Sequence, residues 1–149
     1  MNQAIFRFGL PSNEPVLSYS PGSPERQLLK KELQRQAGQE IEIPLIIGGK
    51  EVRTGNTGQV VMPHDHGHCL ATYHKTGPKE ALLAIESALK AQKRWASLSW
   101  VERSSIMLRA AELMSKKHRH LINAATMLGQ GKNVYQAEID AVCESIDYL

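Results

Sequence analysis

Few residues in this chain have both the type and the setting to do chemistry, and Glu138 leads them. On a helical wheel of about 100° per residue, Gln136, Asp140, Glu144 and Asp147 share one arc, which should face solvent. Glu138 falls on the opposite arc with Val134, Ala141 and Leu149, and Ser145 lies near it. A carboxylate on an apolar face must be paired, must shift its pKa, or must line a polar cavity. Two readings stay open for it: an ion pair with some arginine, or a carboxylate in a substrate channel. Cys69 and Cys143 are nucleophile candidates by type alone, because neither has an activating partner in the sequence. His64, His66 and His68 alternate, with His74 further on, and imidazole is a common metal ligand. Pro63 and Gly67 interrupt that run, so a polar turn between strands is the simpler reading. Gly129-Gln130-Gly131-Lys132 has the look of a phosphate loop. Thr126 and Asn133 break the Walker pattern, and Val134 stands where the dinucleotide fingerprint needs its third glycine. A helix–helix turn is expected there. No catalytic, cofactor or metal ligand is therefore assigned, and Glu138 is the one candidate substrate-channel residue.

The elements that would position these residues can be read in order. Pro11, Pro15, Pro21 and Gly22 make residues 1–22 an irregular arm. Ser23-Pro24-Glu25 starts a helix with a hydroxyl cap, a proline at its first position and an early acid, and Gly38 stops it. Leu28, Leu29 and Leu33 are its apolar stripe. A strand over residues 41–47, with Pro44 marking an edge, turns at Gly48-Gly49 and returns over Lys50 to Thr54. Gln59 to Met62 and Cys69 to His74 form two further strands around a loop from Pro63 to His68. The rest is helical. Thr76 is the expected cap of a helix from Pro78, with Leu82, Ile85, Leu89 and Ala96 at helical spacing. Ser99-Trp100-Val101-Glu102 is a capping box, and Ile106, Ala110, Leu113 and Met114 are expected to face inward behind it. A shorter helix spans about Arg119 to Met127, and Asn133 with Gln136 opens the last one.

Composition bounds the class. The chain has 149 residues, 42% hydrophobic and 22% charged, with a net charge of +3. These values fit a globular domain and argue against a disordered tail. No apolar run approaches the roughly 20 residues of a membrane-spanning helix. The basic runs Lys30-Lys31 and Lys116-Lys117-His118-Arg119-His120 are short and read as solvated helix faces, so no nucleic-acid partner is expected. Two cysteines make no disulfide framework, and residues 1–8 lack a signal-like apolar region, so a cytoplasmic protein is expected. The last helix meets no Gly, Pro or basic turn before Leu149, and Glu144 and Asp147 oppose its dipole. On that ground the sequence is expected to be part of a larger unit.

The order of motifs resembles the opening of an aldehyde dehydrogenase. It is carried by Ile46-Ile47-Gly48-Gly49-Lys50-Glu51-Val52, by Met62-Pro63-His64-Asp65-His66-Gly67-His68, and by Trp95-Ala96-Ser97-Leu98-Ser99 leading to Glu102-Arg103. Within that superfamily the chain resembles the 1-pyrroline-5-carboxylate dehydrogenases. The added residues are Asn13-Glu14-Pro15-Val16, Ser20-Pro21-Gly22-Ser23-Pro24-Glu25-Arg26, Met127-Leu128-Gly129-Gln130-Gly131-Lys132 and Gln136-Ala137-Glu138-Ile139-Asp140-Ala141. The resemblance implies an α/β fold: an irregular arm and helix over 1–38, then, over 39–149, a small β-hairpin layer and three to four helices. The latter would be the N-terminal part of an NAD-binding domain, without a complete Rossmann sheet. It implies an NAD-dependent oxidation of L-glutamate γ-semialdehyde to L-glutamate in proline catabolism, by an enzyme that forms homo-oligomers. The family's nucleophilic cysteine, base glutamate and nucleotide-binding glycines match nothing here, so this chain alone is expected to bind no NAD and to be inactive. The resemblance also places the helix bearing Glu138 beside the aldehyde channel. The alternatives are a stand-alone interaction or oligomerisation module, and a histidine-rich metal-binding protein.

Overall fold

The computed structural model describes residues 9, 10 and 12–149, so the reading of residues 1–8 and Pro11 lies outside the described residues. From Ser12 to Ser20 the chain is an extended arm without regular structure. Helix α1 (Pro24–Ala37) follows, capped as its sequence requires: the Ser23 side chain accepts from the Arg26 amide, and Gly38 closes the end. The arm and α1 then share a core. Tyr19, Leu29 and Ala124 are buried together, with Leu17, Leu33, Met127 and Val134 packed against them.

The strands differ from expectation at two places. Residues 41–47 are not one strand: β1 (Ile41–Ile43) and β2 (Leu45–Ile47) separate at Pro44. Proline lacks the N–H a continuous ladder needs. β1 pairs in parallel with β5 (Asp65–His74), which also pairs antiparallel with β4 (Thr57–Met62), giving the order β1-β5-β4. β2 forms a separate hairpin with β3 (Lys50–Val52), turned through Gly48 and Gly49 at φ 59° and 76°. Positive φ at both central residues is the turn whose twist matches that of the flanking strands. The second difference is that the expected 63–68 loop contracts to a turn at Pro63 and His64. Gly67 does not break the strand; it lies inside β5, whose pairing with β4 is irregular between Val60 and Met62.

The helical half is α2 (Pro78–Ser97), α3 (Trp100–Leu113), α4 (Arg119–Gln130), α5 (Val134–Ala137) and α6 (Glu144–Asp147). Thr76 is not the cap of α2. Gly77 holds that position without a side-chain cap, and its own amide donates to Glu80 Oε2 at 3.0 Å, the return bond of a capping box. The Ser99 and Asn133 capping boxes form as read. Leu113 does not end its helix, because a π-turn over Met114–His118 carries it into α4. A second π-turn, Glu138–Cys143, joins α5 to α6. Gly131, at φ 66°, terminates α4. Neither α2 nor α3 contributes a buried residue, and Ile106, expected to face inward, is half exposed.

Candidate functional site

The wheel places Glu138 inward, and the structure agrees: the side chain is 0% exposed while Gln136, Asp140, Glu144 and Asp147 are exposed. Of the two readings of Glu138, the structure supplies the geometry of the ion pair. Arg119 faces it, with Nη2 2.5 Å and Nε 3.1 Å from Oε1. Leu17 donates its amide to Oε1 at 2.8 Å. The Tyr19 hydroxyl and Asn123 Nδ2 donate to Oε2 at 2.8 and 2.7 Å. Asn123 Nδ2 also reaches the Tyr19 oxygen at 2.8 Å.

Arg119 spans the cluster. Its Nη1 donates to Glu14 Oε1 at 2.5 Å and its Nη2 to the Pro15 carbonyl at 2.6 Å. Ser115 donates to the same Glu14 oxygen at 2.6 Å, and the Glu14 amide donates to Asp147 Oδ1 at 2.7 Å. One guanidinium therefore ties the arm, α4 and the second π-turn together. A planar fork of donors suits this task better than an ammonium would. Lys116 and Lys117 of the same basic run are exposed, but Arg119 is buried, so the run is not wholly a solvated face.

The electrostatics follow from the packing. Burial pushes the Glu138 carboxyl upward, but hydrogen bonds from Arg119, Leu17, Tyr19 and Asn123 outweigh it and hold the group below the usual carboxylate range. Burial would lower Arg119, yet Glu138 and Glu14 raise it, so it stays charged. Tyr19 is raised, first by burial and then by its bond to Glu138, and remains a donor. The carboxylate of this set is held by charged and neutral donors together and is built to stay ionised, while Asn123 Oδ1 is buried beside it without a hydrogen-bond partner.

The remaining candidates are dispersed. Cys143 is buried beside the cluster, 3.4 Å from Arg119 Nη2, and burial pushes its thiol up, away from thiolate character. Cys69 lies on β5 and is likewise raised by desolvation. His68 Nε2 meets the Ala37 carbonyl at 2.8 Å. His74 is buried: Nδ1 accepts from the Thr54 amide at 3.0 Å while Nε2 faces Glu42 Oε1 at 2.8 Å. These two histidines thus serve separate contacts, and among the described residues no group of three His, Cys, Asp or Glu is placed to hold a metal. Gly129 to Gly131 lies at the C-terminal end of α4. That end presents carbonyls, not the amides that cradle a phosphate, so these residues do not fit the pyrophosphate of a dinucleotide. Tyr19, Asn123, Glu14 and Arg119 are not singled out by sequence. The one available signal is an arginine on the face of α4 that also carries Asn123 and Thr126 inward.

Comparison with known proteins fits this framework. The profile of the aldehyde dehydrogenase family matches residues 51–149. The delta-1-pyrroline-5-carboxylate dehydrogenase of Agaricus bisporus is 48% identical over 98% of this chain, which spans 27% of that relative. The human mitochondrial enzyme of the same name is 43% identical over 93% of the chain and 24% of its own length. The Mycobacterium tuberculosis delta-pyrroline-5-carboxylate dehydrogenase, solved with NAD and cobalamin, superposes with a TM-score of 0.95 at 45% identity, over 99% of this chain and 28% of that one. The chain thus spans about a quarter of the length of the curated relatives it matches. Among the described residues no helix is long and apolar enough to cross a membrane. With two thirds of its residues matched by one profile and its arm, hairpin and helices superposing on solved members, this chain belongs to the aldehyde dehydrogenase family.

Proposed function

We infer that this chain works as part of an NAD-dependent dehydrogenase that oxidises L-glutamate γ-semialdehyde, the open form of pyrroline-5-carboxylate, to L-glutamate. The observation that carries this reading is identity of 40 to 48% to enzymes of that name across nearly the whole chain. In this reading the chain supplies framework. The oxidation needs a nucleophile, a hydride acceptor and a water-activating base, and the described residues offer neither a low-pKa thiol nor a dinucleotide cradle. The helix bearing Glu138 forms a wall of the aldehyde channel, and Glu138 serves that wall by fixing the helix, because its carboxylate is enclosed by protein donors. NAD and the aldehyde are bound by the whole enzyme, a homo-oligomer. Its compartment follows the parent protein, and several relatives carry mitochondrial names.

The test is reconstitution. The purified chain is mixed or co-expressed with the complementary three quarters of the Agaricus bisporus enzyme, and NADH formation from pyrroline-5-carboxylate is followed. The expected result is activity with both pieces and none with the chain alone.

A second reading is favoured by one observation. Leu82, Ile85 and Leu89 form a stripe on α2 that is 55 to 61% exposed. A contiguous apolar face of this kind marks an association surface. In that reading the chain is an interaction module that pairs with a relative or with itself, and reconstitution would yield a complex without activity.

A further inference from the structure

Two π-turns among the described residues abut the same buried ion pair. The first ends at His118, immediately before Arg119, and the second begins at Glu138. In the second, the Glu144 amide donates to the Ile139 carbonyl, five residues back, which is the bond that defines a π-turn. The burial pattern has the same period: Ala137 and Glu138 are buried, and so are Val142 and Cys143, each five positions on. An α-helical face repeats at three and four.

A π-turn is rare, occurs mostly as a single wide turn within an α-helix, and holds one more residue than the α-turn it replaces. Annealing it to α-geometry would rotate everything downstream by about 100°. Something must therefore hold it open. At both turns the same charges are at hand. Ser115, inside the first turn, donates to Glu14, which is bonded to Arg119. Glu138 opens the second turn, and Cys143 closes it against Arg119 Nη2. The arm completes the grip through Leu17 and Pro15.

We propose that the Arg119–Glu138 ion pair, braced by Glu14 of the arm, locks both π-turns open, so that Glu138 is a positioning residue that sets the rotation of the helix spanning 134–147. The lock decides which side chains between Asp140 and Asp147 face outward and keeps Cys143 in the buried face. It rests on the geometry of this chain alone and not on the assignment of substrate.

The experiment uses the full chain with Cys69→Ser, leaving Cys143 as the only thiol. Two readings are taken: the through-hydrogen-bond NMR coupling from the Glu144 amide to the Ile139 carbonyl, and the rate at which Cys143 reacts with a thiol reagent. Glu138→Gln should lose that coupling, gain one to Asp140, and expose Cys143 to reaction about tenfold faster or more, as expected for loss of a hydrogen bond to a charged group. Glu138→Asp, which keeps the charge, should retain the coupling. Leu29→Ala removes buried volume beside Tyr19 but no polar group of the pair, and should leave the coupling intact. A folded Glu138→Gln chain that keeps the Ile139 coupling would overturn the proposal, as would its loss in Leu29→Ala. If Glu138→Gln does not fold, Glu14→Gln decides: faster Cys143 labelling than in Leu29→Ala supports the lock, and labelling at or below that rate overturns it.

Discussion

Glu138 sits in an environment that only makes sense for a charged group, and this fixes what its replacement must do. Removing one partner of a buried ion pair costs about 3–5 kcal/mol when the other is left uncompensated. Arg119 keeps Glu14 and the Pro15 carbonyl, so Glu138→Ala should cost about 3 kcal/mol, the lower end, read as a lower urea midpoint. The pH dependence follows in sign. The folded carboxyl lies below its unfolded value, so its contribution is fully present above the ordinary glutamate pKa of about 4.3 and is lost as pH falls through the depressed folded value. Urea midpoints measured downward from neutral pH should therefore fall more steeply for the native chain than for Glu138→Gln. The inward direction of Glu138 is legible in the sequence because helical spacing fixes a face. Its partners are not, because Arg119, Asn123, Tyr19 and Leu17 converge from separations of 15 to 121 residues. Arg119 is further hidden in a run of basic residues, of which Lys116 and Lys117 are surface groups.

At the scale of elements, caps and turns are readable and registers are not. Ser23, Ser99, Asn133, Gly48-Gly49 and Gly131 all do what their local chemistry requires. The parallel pairing of β1 with β5 joins residues thirty apart and depends on tertiary packing, and the π-turns shift a helical period that a wheel assumes constant. One register has a direct test. Gly58 lies opposite Tyr73 in the β4–β5 ladder, and a Cβ there would stand 2.6 Å from the tyrosine ring. Gly58→Ala must push the ring aside and should cost about 1–3 kcal/mol, the usual range for overpacking, read as a lower denaturation midpoint. The same change at Gly49, where nothing lies within 4 Å, meets only the strain of its positive φ. The tight Pro63–His64 turn is not legible because a glycine ordinarily weakens a strand, whereas β5 carries Gly67 within the ladder.

At the scale of the whole molecule, most of the buried residues among those described gather around one group of elements, with Met62, Ala71 and His74 buried separately on β4 and β5. Tyr19, Leu29, Ala124 and the ion pair knit the arm, α1, α4 and the last helix, while α2 and α3 bury no residue of their own. Their amphipathic sequence promises an inward face, the relatives are about four times as long, and in the proposed reading the remainder of the enzyme supplies the surface that face packs on. Leu89→Glu should thus change the stability of the isolated chain by no more than about 0.5 kcal/mol, as for an exposed site. The same substitution should abolish reconstitution with the complementary piece of a relative, measured as loss of the complex on size-exclusion chromatography. A stability loss of several kcal/mol would mean that the stripe is already buried in solution, by self-association. The most direct test of the account is NADH formation from pyrroline-5-carboxylate, measured for this chain, for the complementary three quarters of the Agaricus bisporus enzyme, and for both together. Turnover is expected only from the pair. Turnover by this chain alone, or a stable complex of the two that leaves pyrroline-5-carboxylate unoxidised, would contradict it.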